Sequence, residues 1–282
     1  MDILQAIILG IIQGLTEFLP ISSTGHLTVA GKLMGLISQQ NPERWTAFIA
    51  VIQIGTLFSI LTYFWKDLLG ITGDFLHDNL IKKKKFADQS FNSKMGWYII
   101  LGTIPVVVIG LGFKDFIEGA FTKDLKVIGG SLIALGIILA FAEKTGKFDR
   151  QLKNLKWYDS LIIGFAQCMA LIPGSSRSGT TITAGLFLGF DRETAARFSF
   201  LLSVPAILGS GLLEFYKSLE FIDFSGSVNL IAATSAAAIS GYITIEFLLR
   251  YLRKNSTFVF VFYRIIIGSV ILYLIYSGII SA

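Results

Sequence analysis

The chain has 282 residues, of which 53% are hydrophobic and 15% charged, with a formal net charge of +5 and a mean hydropathy of +0.68. Soluble domains run nearer a quarter charged, and a soluble fold this apolar would expose more hydrophobic surface than water tolerates. The basic residues lie between apolar runs, where they orient a membrane protein, and no base-stacking or groove-reading element makes the charge a nucleic-acid footprint.

In chain order, the first predicted element is an interrupted apolar segment over Ile3 to Leu36, broken by Pro20, Ser22, Ser23, Thr24 and Gly25. Full spans follow at 45–65, 97–113 and 126–142. A second interrupted segment, Tyr158 to Phe190, is broken by Pro173, Gly174, Ser175, Ser176, Arg177, Ser178 and Gly179. Three more spans close the chain at 193–216, 229–249 and 258–280. Each interrupted segment reads as an apolar helix, a polar turn and a second helix too short to cross a hydrocarbon core ~30 Å thick. The expected fold is an all-α polytopic membrane protein with six transmembrane helices plus two re-entrant helical hairpins, in one integral-membrane domain over 1–282. Irregular backbone at that depth survives only where protein or a wet cavity surrounds it.

Loop charge agrees with this layout. Loops 66–96, 143–157 and 250–257 fall on one side and hold Lys66, Lys82 to Lys85, Lys94, Lys144, Lys147, Arg150, Lys153, Lys156, Arg250, Arg253 and Lys254. The opposite loops hold only Lys32, Arg44, Lys114, Lys123, Lys126 and Lys217. The positive-inside rule puts the richer side in the cytoplasm, so the first hairpin enters from outside and the second from the cytoplasm. Pro20-Ile-Ser-Ser-Thr-Gly25 echoes Pro173-Gly-Ser-Ser-Arg-Ser-Gly179, and Glu43 to Phe48 echoes Glu193 to Phe198. These echoes predict an inverted-topology repeat: repeat 1 about 1–113, repeat 2 about 158–249, a connecting span at 126–142 and a closing span at 258–280. The chain begins without a basic n-region, so the N-terminal segment is expected to be retained.

Ionisable groups inside membrane segments are costly and therefore functional candidates. The first hairpin offers Gln13, Glu17, Ser22, Ser23, Thr24 and His26, with Gln13 and Glu17 sharing a helix face. The second offers Arg177 among Ser175, Ser176 and Ser178, with Thr180 and Thr181 behind. Gly174 and Gly179 let backbone N–H groups converge, the following helix directs its positive end at the turn, and a guanidinium fork matches phosphate oxygens. Glu17 is expected to orient the imidazole or to help hold a divalent cation. Taken singly, the serines read as N-caps and His26 as a capping histidine; facing an arginine-bearing anion nest, they read as a site. Cys168 is expected to be a small buried side chain, and His77 with Lys82 to Lys85 a solvated, lipid-facing surface.

Glu17-Phe-Leu-Pro-Ile-Ser-Ser-Thr-Gly-His26 and Pro173-Gly-Ser-Ser-Arg-Ser-Gly-Thr-Thr181 resemble the two signature motifs of the undecaprenyl-diphosphate phosphatase family, also called the bacitracin-resistance family. The likeness covers essentially the whole chain, including Phe198-Ser-Phe-Leu-Leu-Ser-Val-Pro205. It implies hydrolysis of undecaprenyl diphosphate to the monophosphate and inorganic phosphate on the outer face of the cytoplasmic membrane, which recycles the lipid carrier for peptidoglycan synthesis. It implies Glu17, Ser23, His26 and Arg177 as the catalytic group. Gln13, Ser22, Thr24, Gly174, Ser175, Ser176, Ser178, Gly179 and Thr180 would bind substrate. A divalent cation, Mg or Ca, would sit at Glu17, with Gln13 the less acidic of the two residues the family's motif permits at its position. Either Ser23 or His26 attacks phosphorus, His26 taking the proton in the first case. The expected partners are the polyprenyl diphosphate lipid and the bilayer, with no nucleic acid, and a homodimer is compatible with the sequence.

Two rivals are weighed. A lipid phosphatase of the acid-phosphatase type needs a histidine after its Ser-Arg pair, and none follows Ser176-Arg177; no Gly-Lys-Ser/Thr phosphate loop appears either. A secondary transporter or lipid flippase shares the inverted-repeat architecture, and it predicts substrate movement without phosphate release.

Overall fold

The computed structural model describes residues 1–37, 42–113, 124–218 and 224–280, with the side chains of residues 42–44, 213–214, 217–218 and 224–226 outside that description. Lys114 and Lys123, and the side chains of Glu43, Arg44 and Lys217, lie outside it. Among the described residues eleven α-helices run in order: α1 (Ile3–Phe18), α2 (Ser23–Leu33), α3 (Pro42–Tyr63), α4 (Trp65–Leu76), α5 (Phe91–Gly112), α6 (Leu125–Thr145), α7 (Trp157–Cys168), α8 (Arg177–Phe187), α9 (Arg192–Ser218), α10 (Phe224–Leu252) and α11 (Phe258–Tyr276). No β-strand occurs among the described residues.

Among the described residues six helices, α3, α5, α6, α9, α10 and α11, are long and apolar enough to cross a membrane, and they coincide with the six predicted spans. Their outward faces carry large apolar side chains such as Val108, Ile137, Ile231 and Tyr273, a surface suited to lipid rather than water. Contrary to the prediction of a loop over 66–96, Trp65–Leu76 is helical. It is amphipathic: Ile71 is buried and Phe75 packs on Trp97 with ring centroids 5.1 Å apart, while Trp65 and Leu69 are exposed. A 12-residue helix is too short to read as a span, which is why hydropathy passed over it.

Where hydrophobic contact with lipid and with protein is equally good, helices associate through small residues that let backbones approach. Gly10 of α1 lies against the Ala233 carbonyl of α10, and Gly14 against Ala237 and Ser240. Gly164 of α7 lies against the Gly102 carbonyl of α5 in the same manner. A Cβ at any of these positions would overlap the facing helix. Gly129 of α6 and Gly268 of α11 make a third such contact.

Both interrupted segments form a helix, a turn and an 11-residue helix, α1–α2 and α7–α8. Eleven residues rise only about 16 Å. The two turns share one backbone design. Ser22 (φ 76°, ψ 97°) and Ser176 (φ 67°, ψ 112°) both occupy positive φ and cap the following helix, accepting from Gly25 N and Gly179 N. Each helix ends at a residue with ψ near 0°, Met34 or Leu188, followed by a glycine at positive φ, Gly35 or Gly189. Gly10 and Gly164, Gln13 and Gln167, Ser22 and Ser176, Gly25 and Gly179, and Gly35 and Gly189 are all separated by the same interval along the chain.

Candidate active site

The two turns meet. Arg177, the first residue of α8, donates from Nη2 to Glu17 Oε1 at 2.6 Å, across 160 positions of sequence. Glu17 Oε2 accepts from Ser23 Oγ at 2.6 Å and from Gln13 Nε2 at 3.0 Å. Glu17 is 6% exposed and Ser23 9%, so this carboxylate is held by three donors in a place where an unpaired charge would be costly. The spacing explains part of the arrangement: Gln13 and Glu17, four apart on α1, face the same way. Ser23 follows the turn that brings α2 back past the end of α1.

A second buried guanidinium ties the turns together. Arg264, in the middle of α11, is fully buried. Its Nη1 donates to Pro20 O at 3.0 Å and its Nη2 to Ser175 O at 3.0 Å and Gly174 O at 3.3 Å; Nε donates to Leu132 O at 3.2 Å. One planar group therefore satisfies carbonyls of both turns and of α6 at once. Ser178 adds a direct link, donating to Leu19 O at 3.0 Å, and Ser131 of α6 donates to Pro173 O. Gly174 has φ +84°, as a turn glycine should. Gly179 does not take positive φ; its value is room, since a Cβ there would stand 2.7 Å from Arg264 Nη1.

A cavity of about 640 Å³ opens beside this cluster. Of the residues singled out in the sequence, Glu17, Ser22, Ser23, Thr24, Gly174, Ser176 and Arg177 line it. The rest of its wall is largely apolar, with Val106, Val107 and Leu111 of α5 and Pro205, Ala206 and Ile207 of α9. Among the described residues Arg177 Nη1 has no partner, nor has Gln13 Oε1.

Gln13, His26, Ser175, Ser178, Gly179 and Thr180 are not among the lining residues. Thr180 donates to Arg177 O at 3.0 Å, and Ser176 and Ser178 bond each other. Both ring nitrogens of His26 are engaged by groups other than Ser23: Nδ1 donates to Ser22 O at 2.7 Å, and Nε2 is 2.6 Å from the Tyr263 hydroxyl. In the neutral ring Nε2 accepts that hydroxyl proton. The imidazole is thus oriented by Ser22 and by Tyr263, whose ring stacks on it at 5.5 Å, whereas the sequence pointed to Glu17.

Tyr263, Arg264 and Gln167 were missed in the sequence. For Arg264 the signal was present, a lone ionisable residue inside the most apolar span, Phe258–Tyr276. Tyr263 carries no such signal, because tyrosine is ordinary in a membrane helix.

For a divalent cation, the buried Glu17 carboxylate and the unpartnered Gln13 Oε1 are the protein oxygens at hand. Among the described residues no group of three or more His, Cys, Asp or Glu side chains assembles. Such a donor set suits a hard cation that takes its other oxygens from a phosphate and water.

Six membrane-length helices among the described residues, of which α3, α5 and α9 line a cavity where carboxylate, hydroxyl and guanidinium converge, define a multi-pass membrane protein with a polar site. Residues 6–270 match the family described as bacitracin resistance protein BacA, and the chain belongs to that family. It is 56% identical to an undecaprenyl-diphosphatase of Syntrophobacter fumaroxidans over 276 residues, 98% of each chain. An undecaprenyl-diphosphatase of Chloroherpeton thalassium is 49% identical over 287 residues, covering 99% of this chain and 98% of the relative. One of Chlorobaculum parvum is 47% identical over 287 residues, covering 99% of both.

Proposed function

We propose that the chain hydrolyses undecaprenyl diphosphate to undecaprenyl phosphate and inorganic phosphate, recycling the lipid carrier for peptidoglycan synthesis and conferring bacitracin resistance. The observation that carries the proposal is the single carboxylate of Glu17 bonded both to Ser23 and to Arg177 at a cavity wall. Full-length similarity to proteins named undecaprenyl-diphosphatase supports it.

The two helix–turn–helix segments are read as re-entrant hairpins inserted from opposite faces, forming an inverted repeat. The constant interval between Gly10 and Gly164, Ser22 and Ser176, and Gly35 and Gly189 supports this reading, as does the paired serine geometry. So does the exchange in which the first helix of each half packs on the last helix of the other, α1 on α10 and α7 on α5. With the lysine-rich loops in the cytoplasm, the cavity opens to the outer face of the inner membrane.

The diphosphate occupies the polar part of the cavity and the prenyl tail leaves along the wall of α5 and α9. Ser23 Oγ attacks the terminal phosphorus; the bond to the bridging oxygen breaks, and undecaprenyl phosphate departs. The hydroxyl proton passes to Glu17 Oε2, which already accepts its hydrogen bond. Arg177 Nη1, unpartnered in the free protein, binds the developing charge. Glu17 passes the Ser23 proton to the departing undecaprenyl phosphate. Water then attacks the phosphoserine, giving its proton to the freed Glu17 carboxylate, which returns it to Ser23 Oγ as inorganic phosphate leaves. His26 sets the backbone of Ser22, next to the nucleophile. A divalent cation at Glu17 and Gln13 would neutralise phosphate charge.

The test is phosphate release from undecaprenyl diphosphate by the purified protein in detergent, beside Arg177→Ala. Release that falls on the order of 10²–10³-fold in the variant is expected. Near-normal release by Arg177→Ala would contradict the mechanism. Lipid movement across vesicles with no release by the unaltered protein would favour a transporter.

A further inference from the structure

The cavity holds a polar group that the mechanism above leaves unused. Gln167, near the end of α7, is 1% exposed, lines the cavity, and has no hydrogen-bond partner among the described residues at either Nε2 or Oε1. Buried amides in folded proteins almost always find a partner, and both ends of this one are idle. The comparison with Gln13, its counterpart along α1, explains why. Gln13 donates to Glu17 four residues on; four residues after Gln167 stands Leu171.

We propose that Gln167 is a second phosphate-binding residue, donating from Nε2 to the phosphate that stays on the lipid. The inference rests on the phosphatase reading and assigns the other half of the diphosphate. With the terminal phosphorus at Ser23 and Arg177, the ester-linked phosphate lies farther toward the tail. Gln167 lines the same cavity as Ala170 and Leu171, next along its own segment, and Val106 and Val107 of α5, whose apolar side chains suit the tail. A phosphate oxygen only accepts, so the amide N–H₂ is the matching group, and an uncharged donor holds the product phosphate without trapping it. Oε1 is left for a water bound with the substrate.

The experiment compares the unaltered protein with Gln167→Leu and Gln167→Glu. Steady-state phosphate release, inhibition by added undecaprenyl phosphate and by inorganic phosphate, and thermal unfolding in detergent are read together. Gln167→Leu removes the donor while keeping the volume. It is expected to raise KM and the inhibition constant of undecaprenyl phosphate about tenfold each. Inhibition by inorganic phosphate stays the same, kcat stays within about threefold, and the unfolding midpoint does not fall. Gln167→Glu, which sets a carboxylate against the phosphate, raises both constants further. Unchanged KM and product inhibition in both variants, with or without a lower midpoint, overturn the proposal and make the amide a packing group. Tighter or equal product binding by Gln167→Glu overturns it too. If the unaltered protein releases no phosphate, it is the phosphatase reading that fails, and the two failures are told apart.

Discussion

Arg264→Met is a demanding test of how the two turns are held in register. Methionine keeps most of the buried stem and removes every donor, leaving the carbonyls of Pro20, Ser175 and Leu132 without their shorter bonds of 3.0, 3.0 and 3.2 Å. At about 1 kcal/mol net for each bond, the loss is about 3 kcal/mol, a fall of roughly 5–10 °C in the unfolding midpoint. Removing a buried charge that faces only carbonyls returns part of this, so turnover is the decisive readout. Glu17 and Ser23 come from the first hairpin and Arg177 from the second, and a displacement of ~1 Å between reacting groups costs on the order of 10²-fold. Arg264→Met is therefore expected to lose about 10²-fold in kcat, and Arg264→Lys, with its donors on one nitrogen, to fall between. Phosphate release and thermal unfolding are measured on the same preparations. Turnover kept within a few-fold by Arg264→Met would refute the argument that this guanidinium positions the chemistry.

Ser23→Ala is expected to lose roughly 10³-fold or more in kcat, and His26→Ala less, on the order of 10²-fold; rapid quenching should trap phosphate on Ser23. Equal losses in the two variants, or phosphate found on His26, would reverse the assignment of the nucleophile. Gly110 and Gly209 line the cavity with open space where a Cβ would stand. Gly209→Phe should slow undecaprenyl diphosphate more than the short farnesyl diphosphate, and equal slowing of the two would place the tail elsewhere. Gly10→Ala drives a methyl into the Ala233 carbonyl of α10. It should cost about 1–3 kcal/mol of stability, seen as a lower unfolding midpoint, with activity per folded molecule retained.

Much of this protein was legible in its residues. Six stretches of membrane length are a property of local hydropathy, and they became the six long helices. Proline, glycine and serine break helices locally, so both segments are interrupted as expected, but the turns end at Ser22 and Ser176, and Ser23 to Gly25 and Arg177 to Gly179 already belong to α2 and α8. The cost of ionisable groups at depth marked Glu17 and Arg177 without knowledge of their neighbours. Tertiary structure alone decided that these two residues touch, that His26 turns to Tyr263 rather than Ser23, and that Arg264 reaches both turns. It also decided that Gln167 is left unpaired at a cavity wall while Gln13 is bonded. Periodicity and composition are carried by neighbours along one chain. A hydrogen bond across 160 positions depends on how α1, α7 and α11 pack, and no local pattern encodes that.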